Sequence, residues 1–254
     1  MYRKYLLEEI KNTKRLLVVR HGQSIWNHDS KFTGWTNIPL TEKGKEEAKQ
    51  IAKSLLANYY RPNIIFSSVL DRAIQTSNII KKELNYKNIH IHTSWRLNEK
   101  HYGMLEGIPR QNIRNIFGTK FTEIMRGNFT MKPPILNETE QEKIILNTNI
   151  STYAPQTKYL IYRNCYFEKI KYGESKEELL NRLLPYFEND ICYTFNEHKF
   201  PLIVTHKHCA RVLMKHLLNI DDYKFEKFDI PSKKIIYIEL NDDLTYKMHN
   251  YLTY

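Results

Sequence analysis

Apolar positions along this chain fall into two kinds of run. Short unbroken stretches alternate with stretches spaced at three and four residues, which predicts strands and helices in turn. Leu16-Leu17-Val18-Val19 stops abruptly at Arg20-His21-Gly22, as a buried parallel strand does when it delivers polar residues at its carboxyl end. From Thr41, placed as an N-cap, the positions Ala48, Ile51, Ala52, Leu55 and Leu56 mark one face of an amphipathic helix. Ile64-Ile65-Phe66 reads as a second strand, passing through Ser67-Ser68 into a helical pattern at Leu70, Ala73, Ser77, Ile80 and Leu84. The later chain repeats the alternation. It has a helix through Leu179, Leu183, Phe187 and Ile191, a strand Leu202-Ile203-Val204, a helix with Ala210, Leu213, Met214, Leu217 and Leu218, and a closing strand Ile235-Ile236-Tyr237-Ile238. The expected fold class is α/β, a mostly parallel central sheet with helices on both faces. Between about Glu99 and Tyr172 the pattern weakens, and Pro133-Pro134 lead into an Asn/Thr/Glu/Lys-rich stretch. The expectation is one domain over 1–254, with approximately 99–172 inserted as a lid over the carboxyl ends of the strands, where open α/β sheets bind ligands.

Composition narrows the picture slightly. At 254 residues the chain can bury a core without disulfides, and its three cysteines, Cys165, Cys192 and Cys209, lack metal-ligand spacing. No apolar run reaches the length of a membrane span, and the first residues mix charges of both signs, so a cytoplasmic protein without a membrane partner is expected. The net charge of +11 suits nucleic acid, an anionic surface or a phosphorylated small molecule alike. The eight glycines are too scattered for a P-loop or a dinucleotide fingerprint.

The chemistry concentrates at strand ends. Val19-Arg20-His21 and Val204-Thr205-His206 each close a strand with histidine, and adjacent parallel strands would bring the two imidazoles to one edge. Arg20, Arg72 and Arg211 add fixed positive charge there, so an anion is the natural guest, held by guanidinium forks and by backbone N–H groups after His21.

Four blocks in order, Arg20-His21-Gly22-Gln23-Ser24-Ile25-Trp26-Asn27, Phe32-Thr33-Gly34-Trp35, Ser68 to Thr76 and Trp95 to Gly107, are joined by Tyr172-Gly173-Glu174-Ser175 and by His206. Together they resemble the cofactor-dependent phosphoglycerate mutases of the histidine phosphatase superfamily over nearly the whole chain. The resemblance implies that His21 is a nucleophile that becomes transiently phosphorylated. Arg20, Arg72 and His206 would hold the phosphoryl charge, and Glu99 would move the proton of the alcohol oxygen. By the same pattern Asn27, Thr33 and Gly34 would contact phosphate, while Tyr102, Arg110 and Arg126 would face the organic part of a phosphorylated small-molecule substrate. No metal or permanently bound cofactor is implied. A mutase would use 2,3-bisphosphoglycerate as primer, and a homodimer is an assembly common among such proteins.

Departures from the family pattern bear on the outcome of the reaction. The family's His-Gly-Asn-Ser-Leu-Arg is here His206-Lys207-His208-Cys209-Ala210-Arg211, so Lys207 and His208 are either added phosphate donors or surface replacements. Met125-Arg126-Gly127-Asn128 leaves one guanidinium where the family usually has two. The chain ends at Tyr254, directly after its last strand-like segment, where mutases commonly continue with a tail over the site. The first change puts close backbone approach to phosphate in doubt, the second removes a clamp on substrate charge, and the third would let water reach a phosphohistidine; together they favour net hydrolysis over return of the phosphoryl group. The alternatives are a 2,3-bisphosphoglycerate-dependent mutase, a sugar bisphosphatase, and a non-catalytic basic binding protein; nucleic acid is not an expected partner. Cys209 reads as a buried inert thiol, Trp26, Trp35 and Trp95 as core, and the His206/His208 pair as too sparse for a metal.

Overall fold

The computed structural model describes residues 14–85, 88–137, 139, 161–162, 165–166 and 173–254. Most of 138–172, the distal half of the expected lid, therefore lies outside the described residues.

Six strands build the main sheet: β1 (Lys14–Arg20), β2 (Ile64–Ser67), β3 (His90–Thr93), β6 (Pro201–Thr205), β7 (Lys234–Leu240) and β8 (Tyr246–Thr253), in the order β3-β2-β6-β1-β7-β8. A separate antiparallel pair joins β4 (Ile161–Tyr162) to β5 (Cys165–Tyr166). In the main sheet β1 pairs parallel with β6, Val19 opposite Val204, and β6 parallel with β2. Only β7 runs against the rest, pairing antiparallel with both β1 and β8.

Side chains alternate along β1. Leu17 and Val19 join one buried cluster and Leu16 and Val18 another, each side chain essentially free of solvent exposure, so each residue adds about 1.5–3 kcal/mol of burial to opposite faces. The first face is covered by α2 (Glu42–Ala57) and α3 (Asp71–Leu84), through Ile51, Leu55, Ala73 and Ile80. The second is covered by α6 (Lys176–Tyr186) and α7 (Lys207–Leu217), through Leu179, Leu183, Val212 and Leu213. Helices thus flank both faces. Thr41 caps α2, its hydroxyl accepting from the Gly44 N–H, and Ser175 with Glu178 forms a reciprocal capping box on α6. After Tyr186 the helix carrying Phe187 and Ile191 widens into a π turn, just past Pro185.

Several elements are not evident in the hydrophobic pattern, among them β8, which follows the expected closing strand, and β3, α4 and α5. β3, His-Ile-His-Thr, is a half-exposed edge strand without an apolar run. The weakly patterned stretch after Glu99 contains α4 (Arg110–Phe117) and α5 (Thr119–Gly127), too short for the period to stand out and separated only by Gly118. Both pack onto a third cluster of Phe32, Tyr102, Leu105, Ile108, Ile113, Met125 and Leu136. The short helices α1 (Ile25–His28) and α8 (Asp222–Lys227) complete the elements used below.

Candidate active site

The edge formed by the carboxyl ends of β1 and β6 carries the two histidines. The His21 N–H donates to the Thr205 carbonyl at 2.9 Å, and the His21 and His206 rings meet edge to face at 4.8 Å. His21 Nδ1 lies 2.6 Å from the Gly22 carbonyl oxygen. A carbonyl only accepts, so Nδ1 carries the proton and Nε2 keeps the lone pair. Burial, then the charges of Arg72 and Arg20, hold His21 well below the ordinary imidazole range. It is a neutral imidazole, as attack on phosphorus requires.

His206 is fully buried behind it. Its Nε2 is 2.7 Å from the Ser68 hydroxyl, which itself accepts from the Leu70 N–H. A Ser68 proton given to Nε2 would leave the ring proton on Nδ1, a buried atom with no partner among the described residues. Burial and Arg72 keep His206 neutral too.

Around the pair, the sequence places cations by short loops. Arg72, in the first turn of α3, is 1% exposed and donates to the carbonyls of Gly34 at 2.7 Å and Thr36 at 3.0 Å. Gly34 has φ +52°, and a Cβ there would stand 1.8 Å from Glu106 Oε1, so only glycine fits. Glu106 in turn accepts from the N–H groups of Trp35, Thr36 and Tyr102, which sets the loop beside the pocket. Ser24 caps α1, and Asn27 Oδ1 accepts from the Ser24 N–H and from Arg20. That leaves the Asn27 amide N–H groups as donors.

Glu99 Oε1 accepts from the N–H groups of Lys100 and His208 at 2.9 and 3.2 Å, contacts that do not engage Oε2. Tyr102 OH meets His208 Nε2 at 2.9 Å, and burial, with Glu99 next, pushes the phenol up to about 12. His208 is 4% exposed, so it is not a surface replacement. Lys207 pairs with the exposed Asp229 at 2.7 Å. Burial, with Arg126 next, lowers the Arg110 guanidinium from its ordinary value.

A pocket of about 50 Å³ is lined by every site residue expected from the sequence except His206 and Arg211, together with Phe32: Arg20, His21, Asn27, Thr33, Gly34, Arg72, Glu99, Tyr102, Arg110, Arg126, Lys207 and His208. Thr33 Oγ1 and the Nε atoms of Arg110 and Arg126 are buried with no hydrogen-bond partner among the described residues. Buried donors without acceptors on a positive wall suit an oxyanion.

The sequence also compares with known proteins. Residues 16–143 and 149–250 match the histidine phosphatase superfamily (branch 1). The chain is 35% identical to a 2,3-bisphosphoglycerate-dependent phosphoglycerate mutase of Haemophilus influenzae (strain PittGG), covering 93% of this chain and 99% of that one. It is also 35% identical to one of Buchnera aphidicola subsp. Cinara cedri, over 90% of this chain and 94% of the other. The chain belongs to the histidine phosphatase superfamily. It is therefore an enzyme of phosphoryl-group chemistry. In fold this superfamily member is similar to a mycobacterial glucosyl-3-phosphoglycerate phosphatase (TM-score 0.67, 18% identity, 93% of this chain and 97% of that one). It is also similar to the alpha-ribazole phosphatase of Shigella flexneri (TM-score 0.62, 18% identity, 93% and 96%).

Some expectations for the site need correction. Arg211 does not join the cluster. It donates to the carbonyls of Phe225 and Phe228 and lies over the Phe225 ring, because the end of α8 offers acceptors nearer than the pocket. Trp35 is 2% exposed, but Trp26 and Trp95 are only half-buried. Cys209 is buried, and burial pushes its thiol up to about 12.

Other residues at the site were not singled out in the sequence. Ser68 orients His206. Arg182 donates to the carbonyls of Trp95, Arg96, Asn98 and Glu99 and pairs with Glu174 at 2.7 Å, fixing the loop that holds Glu99. Lys100 and Lys176 are both fully buried and tie the chain after Arg126 in place through the carbonyls of Met131 and Asn128. Ser68, Lys100 and Glu174 fall inside the blocks quoted for the family resemblance, whereas Arg182 and Lys176 carry no such signal.

Proposed function

We propose that this histidine phosphatase superfamily enzyme hydrolyses small phosphorylated metabolites through a phosphohistidine at His21. His21 Nε2 attacks phosphorus. The N–P bond forms as the ester P–O bond breaks, and Glu99, as carboxylic acid, gives its proton to the leaving alcohol oxygen. Water then attacks phosphorus as Glu99 takes its proton, the N–P bond breaks, and phosphate and neutral His21 are released. Arg20, Arg72, the amide of Asn27, Thr33 and His206 Nδ1–H hold the phosphoryl oxygens, while Tyr102, Arg110 and Arg126 hold the organic part. Lys207 and His208 complete the wall where the family pattern has Gly and Asn. No resident cofactor is needed in this reading.

The observation that carries the hydrolytic outcome is the position of His21. Besides the small pocket, it lines a second cleft of about 350 Å³ walled partly by the exposed Pro231, Ser232 and Lys233. Such a cleft would give water a route to the phosphorylated ring, which a mutase must deny it. A second reading, primed mutase activity, is favoured by the two relatives named as 2,3-bisphosphoglycerate-dependent mutases. Substrates of this kind and the absence of a helix long and apolar enough to cross a membrane among the described residues fit action in the cytoplasm, and a homodimer is the assembly proposed.

The test is a paired assay on 3-phosphoglycerate, following inorganic phosphate and 2-phosphoglycerate with and without 2,3-bisphosphoglycerate. Phosphate release that disappears in His21→Ala, with little interconversion, is expected. Primer-dependent interconversion with little phosphate release would establish the mutase reading instead.

A further inference from the structure

Glu99, the acid and base of the proposed reaction, sits on a segment with little regular structure of its own. Trp95–Leu97 makes one 3₁₀ turn, and residues 98–102 belong to no helix or strand. The backbone carbonyls of such a segment need partners from elsewhere. Most of them meet on one side chain. Arg182, in the middle of α6 and almost fully buried, donates to the carbonyls of Trp95 at 3.2 Å, Arg96 at 2.7 Å, and Asn98 and Glu99 at 2.9 Å. The Leu97 carbonyl accepts instead from the Thr205 hydroxyl, at the end of β6, at 2.8 Å.

Glu174 closes the clamp from the other side. Its two oxygens accept from Arg182 Nη2 and Nε at 2.7 and 3.0 Å, a forked pair. The same carboxylate accepts from the His101 N–H at 2.9 Å, and the Glu174 N–H donates to the His101 carbonyl at 3.0 Å. The guanidinium also lies over the Trp35 and Trp95 rings, at 5.3 and 5.9 Å.

Trp35 joins this clamp to the phosphoryl site. Its ring N–H donates to the Glu99 carbonyl at 2.6 Å, and its chain neighbours Gly34 and Thr36 supply the carbonyls that hold Arg72. Neither Arg182 nor Glu174 lines the pocket or the cleft, so both reach the reaction only through other residues. What Arg182 grips is the backbone of the acid and, through Trp35, the loop that places a phosphate-binding arginine.

Resting on the assignment of Glu99 as acid above, we propose that Arg182 is a positioning residue that sets the Glu99 carboxyl in register with the phosphoryl group. It matters for substrates whose leaving oxygen needs a proton. As the N–P bond to His21 forms and the P–O bond of an alkyl phosphate breaks, the departing alkoxide takes the Glu99 proton. The p-nitrophenolate of p-nitrophenyl phosphate leaves as the anion and takes none. A misplacement of about 1 Å in a group of this kind costs on the order of 100-fold in rate.

The experiment measures kcat/KM, which reports the steps up to departure of the alcohol or phenol, for the full chain, Arg182→Lys, Glu99→Gln and the double variant. Two alkyl esters, 3-phosphoglycerate and benzyl phosphate, are compared with p-nitrophenyl phosphate. Lysine keeps the charge beside Glu174 but not the planar fork that reaches several carbonyls at once. Arg182→Lys should lose about 10- to 100-fold on the alkyl esters and less than about threefold on p-nitrophenyl phosphate. In the Glu99→Gln background the same substitution should cost less than about threefold on any of them, because its effect passes through the carboxyl already removed. Trp35→Phe, which keeps a ring against the guanidinium and removes the N–H, should show the same selectivity with a smaller loss. Equal losses on alkyl and p-nitrophenyl esters, or an undiminished loss beside Glu99→Gln, would make Arg182 a support of the fold alone and overturn the proposal. Interconversion of 3-phosphoglycerate without phosphate release overturns the hydrolytic reading only, and the same cycle is then read on interconversion. No turnover of any substrate by the full chain overturns both.

Discussion

At the scale of single residues, the site is a device for keeping two imidazoles neutral among guanidinium groups. His21 is buried, and Arg72 and Arg20 add to the cost of a proton on it, so its folded value lies well below 6.5. The neutral nucleophile therefore persists as pH falls through the ordinary imidazole range, and protonates only well below it. An NMR titration of the histidine ring protons, with His21→Ala to assign the signal, should show a midpoint clearly below 6.5. A midpoint at or above 6.5 would refute the electrostatic account of the nucleophile. In Arg20→Gln the midpoint should rise and kcat/KM should fall about 10- to 100-fold, the worth of about 1.5–3 kcal/mol for a charge-assisted hydrogen bond. Most residues lining the pocket were legible because strand ends and the quoted family blocks contain them; Arg110 and Arg126 lie outside those blocks. Arg211 was misread because its acceptors, the Phe225 and Phe228 carbonyls, belong to a turn 14 and 17 residues on, which no local spacing announces.

At the scale of elements, the loop after β1 is shaped by the helix that crosses it. A Cβ on Gly44, in the first turn of α2, would lie 2.1 Å from the Gln23 carbonyl oxygen, and one on Gly22 would lie 2.1 Å from the Gly44 carbonyl oxygen. Both obstacles are backbone, so neither can swing aside. Gly44→Ala is expected to lower stability by about 1–3 kcal/mol through overpacking. It should also reduce turnover severalfold, because the displaced loop carries the Gly22 carbonyl that fixes the His21 tautomer. Thermal unfolding with kcat on one phosphomonoester measures both, and a variant as stable and active as the parent would refute the packing argument. The long helices and central strands were readable because their apolar periods run over several turns or an unbroken stretch. β3, α4 and α5 were not. Their stability comes from an edge pairing and from the Phe32–Leu136 cluster, contacts made at a distance in sequence.

At the scale of the whole molecule, the segment carrying Arg110 and Arg126 is fastened to the sheet core partly by buried charge. Lys176 starts α6 with no solvent exposure, its Nζ 2.6 Å from the Asn128 carbonyl oxygen, and Lys100 reaches the Met131 carbonyl oxygen at 3.2 Å. Burial, then the neighbouring Lys100 and Arg211, lowers Lys176 to about 6, and burial lowers Lys100 to about 8. In the unfolded chain both titrate at the ordinary lysine value, about 10.4. Between the folded and unfolded values the unfolded state binds more protons, so stability rises with pH across that window. For Lys176 the gain is complete above about 10.4 and is lost progressively as pH falls to about 6. Near neutrality the folded Lys176 is mostly the neutral amine, and giving up the proton that the unfolded chain keeps is a net cost. Lys176→Met, which keeps the length of the side chain without the charge, is therefore expected to stabilise the protein by about 1–3 kcal/mol at pH 7. The advantage should widen toward pH 6 and narrow toward pH 10. Denaturant unfolding of both proteins at pH 6.5, 8 and 9.5 checks this, and a gap that is constant or grows with pH would mean that Lys176 is charged and satisfied in the fold.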